Sequence, residues 1–414
     1  MTDKAREHII VIGAGLLGSC MALELARAGK RVTLLEKALR PMKRASSAGE
    51  GKLHLGLVYA NDPSLKTAEV MMDGALSFSR ILTRLLGNHW KPVYSSPFVY
   101  AVAQDSLLDA QTLETFYTEL EKRFLNRLKD RDACYLGTRP TNLFRRLRPS
   151  EFPAHLNRDC FQALFQTSEL ALAPEMLAES TRAALLSQPR IELHSGVRVR
   201  SVSEHQSGYL VEAEQAGQRL NFQADQIINC SWERRMAIDQ TMGITHPGSW
   251  LHRLKYSLNV LLPPALKNGP SVTMVLGRYG DVVNRGNLQG YLSWYPSGLR
   301  GWSNAIEPPE HWDLITGDTP PLEESREVIH QTLSSINAWY PSMEQARIQN
   351  IKAGTIVAQG TSDVNDPASG LHDRAMASIT SVKGYHSIYQ GKLTTSPYFA
   401  NLLAQKIIGK SSDA

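Results

Sequence analysis

The stretch HIIVIGAGLLGSCMALELARAGKRVTLLEK, His8 to Lys37, constrains the fold more tightly than any other part of the chain. Ile9, Ile10, Val11 and Ile12 form a continuous apolar run, as expected of a strand buried on both faces of a parallel sheet. Gly13-Ala14-Gly15-Leu16-Leu17-Gly18 then fits GxGxxG. The pattern predicts a helix over 16–28, stopped by Gly29, and a second strand over 31–35 that ends on Glu36. Each piece has a physical job. Gly13 permits the tight turn, Gly15 lets a pyrophosphate approach the backbone, and Gly18 lets helix and strand pack closely. The helix start at Leu16 and Leu17 offers unpaired amides and a positive dipole end to phosphates. Glu36, followed by Lys37, is placed to bond ribose hydroxyls, and its charge would repel a 2′-phosphate. These features specify a dinucleotide site, but by themselves they do not separate NAD from FAD.

Composition narrows the class. With 414 residues, 42% of them hydrophobic, the chain can bury a large core and divide into two domains. A net charge of +5, with basic residues scattered apart from Lys37, Arg40, Lys43 and Arg44, argues against nucleic-acid binding. Cys20, Cys134, Cys160 and Cys230 form no CxxC pair, so neither a disulfide framework nor a metal site is expected. The polar N-terminus does not read as a signal peptide, and no apolar run reaches the ~20 residues of a membrane span. The expectation is a cytoplasmic protein.

Two further stretches separate the nucleotides. RASSAGEGKLHLGLVYA, Arg44 to Ala60, is a small-residue loop carrying a Lys-Leu-His insert. GYHSIYQGKLTTSPYFANLLAQKI, Gly384 to Ile407, is a Gly-Lys turn and two threonines leading into an amphipathic helix, with Phe399, Leu402, Leu403, Ile407 and Ile408 on one side. With the N-terminal fingerprint, these segments resemble the FAD-dependent D-amino-acid oxidase superfamily. That group includes glycine and sarcosine oxidases, flavin glycerol-3-phosphate dehydrogenases and L-2-hydroxyglutarate dehydrogenase. The resemblance runs along nearly the whole chain and is specific at its two ends.

The resemblance implies a set of cofactor contacts. Ser46, Ser47, Lys52, Leu53 and His54 would line the flavin, and Gly391, Lys392, Leu393, Thr394 and Thr395 would close over its ring and ribityl chain. Val197 to Val199 would meet the adenine through the backbone. The strand over 225–230 would end beneath the pyrophosphate, although here it runs into Asn229-Cys230-Ser231-Trp232 in place of a small-x-Gly turn. No second strand–GxGxxG–helix unit occurs downstream. Electrons are therefore expected from an organic substrate, not from NAD(P)H.

The remaining pattern divides the chain. Helices are predicted over 63–86, 107–128 and 323–339, and strands over 92–103 and through 191–231. After Trp250, strand-like runs separated by Pro and Gly turns suggest an antiparallel sheet. The expected fold is α/β (α+β overall). A Rossmann-like FAD-binding domain, 1–90, 168–242 and 342–414, is interleaved with a mainly antiparallel substrate domain, 91–167 and 243–341.

The chemistry follows from this frame. The expected function is an FAD-dependent oxidoreductase that takes a hydride from a C–N or C–O bond of a small polar substrate onto flavin N5. Lys52 and Lys392 are the candidates for stabilising reduced flavin. His54 is the first candidate base, required by a hydroxyl substrate, and His386 the second. An anionic substrate calls for arginine, with Arg253, Arg278, Arg285 and Arg300 as candidates and Arg278-Tyr279 preferred because it follows the strand 272–276. The electron acceptor is oxygen or a carrier. Two alternatives stay open: a 2-hydroxy-acid dehydrogenase passing electrons to a carrier, and an FAD-binding protein without turnover that acts with a partner.

Overall fold

The computed structural model describes residues 7–317, 320–362, 366, 369 and 373–409. Its strands are β1 (His8–Ile12), β2 (Arg31–Glu36), β3 (Phe98–Ala103), β4 (Phe144–Arg146), β5 (Phe161–Thr167) and β6 (Ile191–Ser195). Next come β7 (Arg198–His205), β8 (Gly208–Gln215), β9 (Gln218–Ala224), β10 (Gln226–Asn229), β11 (Trp250–Leu261) and β12 (Ser271–Val275). The last are β13 (Gly280–Asn284), β14 (Gln289–Trp294), β15 (Leu299–Ser303), β16 (Arg347–Gln359), β17 (Ser378–Val382) and β18 (Tyr385–Tyr389).

One sheet of six strands has the order β17-β18-β10-β1-β2-β6, parallel except for the β17–β18 pair. The first strand lies at its centre, which is why Ile9 to Ile12 is apolar on both faces and at most 3% exposed. Helix α1 (Leu16–Arg27) follows the glycine turn and packs on the C-terminal helix Ser396–Ile408. There Phe399, Ala400, Leu403 and Ala404 are buried, while Leu402, Ile407 and Ile408 are half-buried against the same core. Buried Glu24 of α1 pairs with Arg84 at 2.5 Å and accepts from Asn401 at 3.0 Å, tying α1 to the helix Lys66–Leu86 and to the C-terminal helix. A small antiparallel sheet, β7-β8-β9, packs beside this unit through Val199, Val202 and Val211.

The second large sheet runs β15-β11-β14-β13-β12-β3-β5-β4, with β16 also paired to β11. It is antiparallel except where β12 meets β3. One edge of β11 takes β15 at its start and β14 at its end; the other takes β16 along the whole strand. Residues 347–359, read from sequence as part of the nucleotide-binding segment, therefore belong to this sheet. Their placement is decided by that pairing, which a local pattern does not reveal. Helix Leu322–Asn337 covers one face with Val328 and Ile336. All four cysteines are free. Among the described residues, no helix is long and apolar enough to cross a membrane, and no group of three or more His, Cys, Asp or Glu is placed to hold a metal ion.

Candidate active site

A single cleft runs from the ends of β1 and β2 to the polar face of the large sheet. At the nucleotide end Gly13 has φ +92°, and a Cβ there would lie 2.8 Å from the Cys230 carbonyl oxygen. A Cβ on Gly18 would fall 1.8 Å from the Gly13 carbonyl oxygen, so only glycine lets α1 sit this close to the turn. Gly15 is the N-cap of α1 and supplies no side chain, and the first turn has no acid. The Leu16 amide donates to Ser46 Oγ at 3.0 Å; the next amides are left for an incoming phosphate. Glu36 is 7% exposed and accepts from the amides of Ala14 at 2.6 Å and Ala38 at 2.7 Å. Burial raises its pKa, opposed by those two hydrogen bonds. The Val197 amide donates to the Glu36 carbonyl at 2.8 Å, which brings β2 and the start of β7 together at the cleft.

The sequence-predicted cofactor residues divide by position. Gly13, Gly15, Leu16, Leu17, Glu36, Lys37, Ser46, Lys52, His54, Val197, Val199, Gly391, Lys392 and Leu393 all line the cleft. Gly18, Ser47, Leu53, Thr394 and Thr395 support it from behind. Ser47 Oγ donates to the Lys43 carbonyl at 2.8 Å, and Thr395 Oγ1 donates to the Lys392 carbonyl at 3.0 Å. Leu53 is fully buried and its amide donates to the Leu170 carbonyl at 3.0 Å. The unusual turn after β10 keeps its place: Cys230, Ser231 and Trp232 line the cleft beneath Gly13.

Two of the substrate-side candidates stand outside the cleft. Arg278 is exposed and lies outside the cleft, because the β12–β13 turn points its neighbour Tyr279 inward instead. Tyr279 lines the cleft and donates from its hydroxyl to Asp105 at 2.7 Å. His386 sits in β18 outside the cleft, held by Ser381 Oγ at 2.8 Å and Gln226 Oε1 at 3.2 Å. Burial lowers its pKa to about 4.

The charged residues at the far end come from several elements. Arg253, Lys255 and Ser257 alternate along one face of β11 and line the cleft, while Leu254, Tyr256 and Leu258 fill the core on the other face. This was readable as a polar–apolar alternation in RLKYSL, though sequence alone does not say what the polar face meets. Arg253 donates to the Tyr295 hydroxyl, and Lys255 Nζ lies 5.5 Å from the centre of the same ring. Lys52 is 3% exposed; its ammonium donates to Thr273 and, at 2.8 Å, to Asp281, and sits 4.3 Å over the Phe98 ring. Arg374 also lines the cleft and is 2% exposed.

Glu50 was missed although it stands inside the loop singled out by sequence. Burial works against its charge, yet the ammonium groups of Lys392, Lys52 and Lys255 hold its pKa below the usual value. Burial lowers Lys392 to about 8; Glu50 opposes the shift, and Arg374, Lys255 and Arg253 add to it. His54 lies 3.8 Å from Glu50, and its Nδ1 is buried with no hydrogen-bond partner among the described residues. Burial, with Lys392 and Lys52, holds its pKa well below 6.5. The imidazole is therefore neutral, and its buried, cationic surroundings work against its protonation.

Comparison with known proteins bears on the family and the fold. Over 82 residues, 20% of the chain, the sequence is 41% identical to the tRNA 5-methylaminomethyl-2-thiouridine biosynthesis bifunctional protein of Chromohalobacter salexigens. That stretch covers 11% of the relative, so the chain matches only a minor part of its length. The fold is similar to that of glycine oxidase from Geobacillus kaustophilus, with a TM-score of 0.70 at 16% identity, over 99% of this chain and 96% of that one. Iminodiacetate oxidase from Chelativorans sp. BNC1 gives a TM-score of 0.64 at 20% identity, over 98% and 96% of the two chains. A family model, FAD dependent oxidoreductase, matches residues 8–406. With the glycine turn, the Glu36 carboxylate and a cleft leading to a charged pocket already in place, the chain belongs to the FAD-dependent oxidoreductase family.

Proposed function

We propose that this flavoenzyme oxidises a small anionic substrate at a C–N or C–O bond. The observation that carries the reading is the charge balance at the far end of the cleft. Among the described residues, the ammonium groups of Lys52, Lys255 and Lys392 stand there against two carboxylates, Glu50 and Asp281. A buried surplus of cations is costly unless an anion completes it. Arg253 and Lys255, spaced by two on one strand face, are suited to grip a carboxylate or phosphate.

FAD, when bound, supplies the hydride acceptor. The chain's residues fit it: the glycine turn and first amides of α1 for the pyrophosphate, Glu36 for the ribose, and the Val197–Val199 backbone for the adenine. Lys52, His54 and the 391–393 segment stand at the other end, where the ring would lie. In this reading the six-stranded sheet serves the nucleotide, and the large sheet, β16 included, serves the substrate.

A hydroxyl substrate is favoured by one feature. His54 lines the cleft 3.8 Å from Glu50, and in this reading the pair takes the proton that a 2-hydroxy acid must lose. The test is anaerobic mixing of holoenzyme with amino acids, N-alkyl amino acids, 2-hydroxy acids, phosphorylated polyols and the neutral esters of each. Saturable bleaching of the flavin by an acid, with its ester inert, is expected. Equal bleaching by the ester, or bleaching by NADH or NADPH, overturns the reading. Peroxide released in air then separates an oxidase from a dehydrogenase that uses a carrier.

A further inference from the structure

Residues 304–317 leave the large sheet after β15 and cross to the nucleotide end of the cleft. There Asp313 pairs with Lys37 and, at 3.0 Å, with Arg44, and it lies 3.7 Å from Arg198. Glu310 pairs with Arg198 at 2.8 Å, and Glu307 pairs with Arg234. Glu233 joins from the turn after β10, pairing with Arg44 and lying 3.8 Å from Lys37. Lys37, Arg44, Arg198 and Arg234 all line the cleft beside Glu36 and Val197. Three carboxylates of one segment thus grip four cations that come from separate parts of the nucleotide-side structure.

Two further features give the contact direction. Trp312, 3% exposed, anchors the segment in the core of the large sheet; a Cβ on Gly301 would lie 2.3 Å from its ring. The Nε atoms of Arg44, Arg198 and Arg234 are buried and have no hydrogen-bond partner among the described residues. Buried donors left unpaired are expensive. The ion pairs to Glu233, Glu307, Glu310 and Asp313 hold these three guanidiniums in place beside the nucleotide end of the cleft.

We propose that residues 307–313 form an ionic clasp that holds Lys37, Arg44 and Arg198 around the adenosine half of FAD and sets its rate of release. Asp313 is the positioning residue: it meets all three cations. The clasp lies at the cofactor end of the cleft and does not depend on the substrate. Because Lys37 and Asp313 are each 20% exposed in their side chains, salt reaches and screens the clasp.

The experiment follows flavin fluorescence after dilution of the holoenzyme, in wild type, Asp313→Asn and Asp313→Glu. Asp313→Asn should release FAD about tenfold faster, while the absorption spectrum of flavin still bound is unchanged. Asp313→Glu should restore slow release. Raising NaCl from low concentration to about 1 M should speed release from wild type and leave Asp313→Asn nearly unaffected. If Asp313→Asn does not fold, Glu310→Gln, which removes the clasp's other carboxylate on Arg198, and the wild-type salt dependence carry the same readouts. Wild-type release rates in the variant, or salt-independent release from wild type, would overturn the clasp.

Discussion

Thr394 and His54, 340 positions apart in the chain, are joined through a single hydroxyl. Thr394 Oγ1 accepts from the His54 amide at 3.1 Å and donates to the Lys52 carbonyl at 3.3 Å. The C-terminal segment therefore fixes the Lys-Leu-His turn that enters the cleft near the N-terminus. Thr394→Val keeps the volume and removes both bonds, leaving a buried amide unpaired. A loss of about 1–3 kcal/mol in denaturant-derived stability is expected, with slower flavin reduction as His54 loosens. An unchanged unfolding midpoint would show that the turn is held by other contacts.

His54→Ala should slow flavin reduction by roughly a hundredfold with a hydroxyl substrate and leave FAD bound. Anaerobic stopped-flow measures it. The same residue links stability to pH. His54 has its folded pKa pushed down by burial and by Lys392 and Lys52, so below about 6.5 the unfolded chain binds a proton that the native state refuses. Its contribution makes stability fall as pH drops through that value. In His54→Gln this part of the slope should vanish, as thermal midpoints taken across pH 5 to 7 (about one unit either side of the ordinary value) will register.

Lys392 titrates at about 8. It is charged below that pH and neutral above it. Affinity for an unreactive anionic inhibitor, read by perturbation of the flavin spectrum, should accordingly weaken as pH rises through about 8. Lys392→Met should bind the inhibitor weakly throughout and lack the inflection. A wild-type profile flat over this range would remove Lys392 from the anion site.

Arg253→Ala should impair saturation more than the chemical step, by about 2–5 kcal/mol for a lost partner of a bound charge. Arg278→Ala, on the exposed turn outside the cleft, should behave as wild type. Single-turnover reduction against substrate concentration compares the two. The reverse result would restore Arg278 to the site.

Gly15→Val tests the nucleotide end. Gly15 has φ −66° and ψ −176°, which valine adopts without strain, and its Cβ would be 3.1 Å from Ser46 Oγ. The variant should fold yet lose FAD, since the branched side chain occupies the approach of the pyrophosphate. Full flavin content after purification would place the cofactor elsewhere.

Local sequence determined the elements whose chemistry is local. The glycine turn, α1 and Glu36 are specified within thirty contiguous residues, because strand burial, helix capping and left-handed backbone each leave a mark on residue type. The Ser-Ser and Lys-Leu-His loop and the Gly-Lys-Leu-Thr-Thr segment were likewise legible, through their resemblance to a family. What only tertiary structure decided was which charges meet. Arg253 on β11 and Arg278 on the β12–β13 turn are the same residue type in one sheet's chain path, and nothing in their immediate sequence says that one faces the cleft and the other solvent. That choice depends on strand register, on β16 covering the far edge of β11, and on the turn that sends Tyr279 inward. The cluster of Glu50, Lys52, Lys255 and Lys392 is assembled from three distant segments, so its shifted protonation exists only when the fold excludes water and holds the charges together.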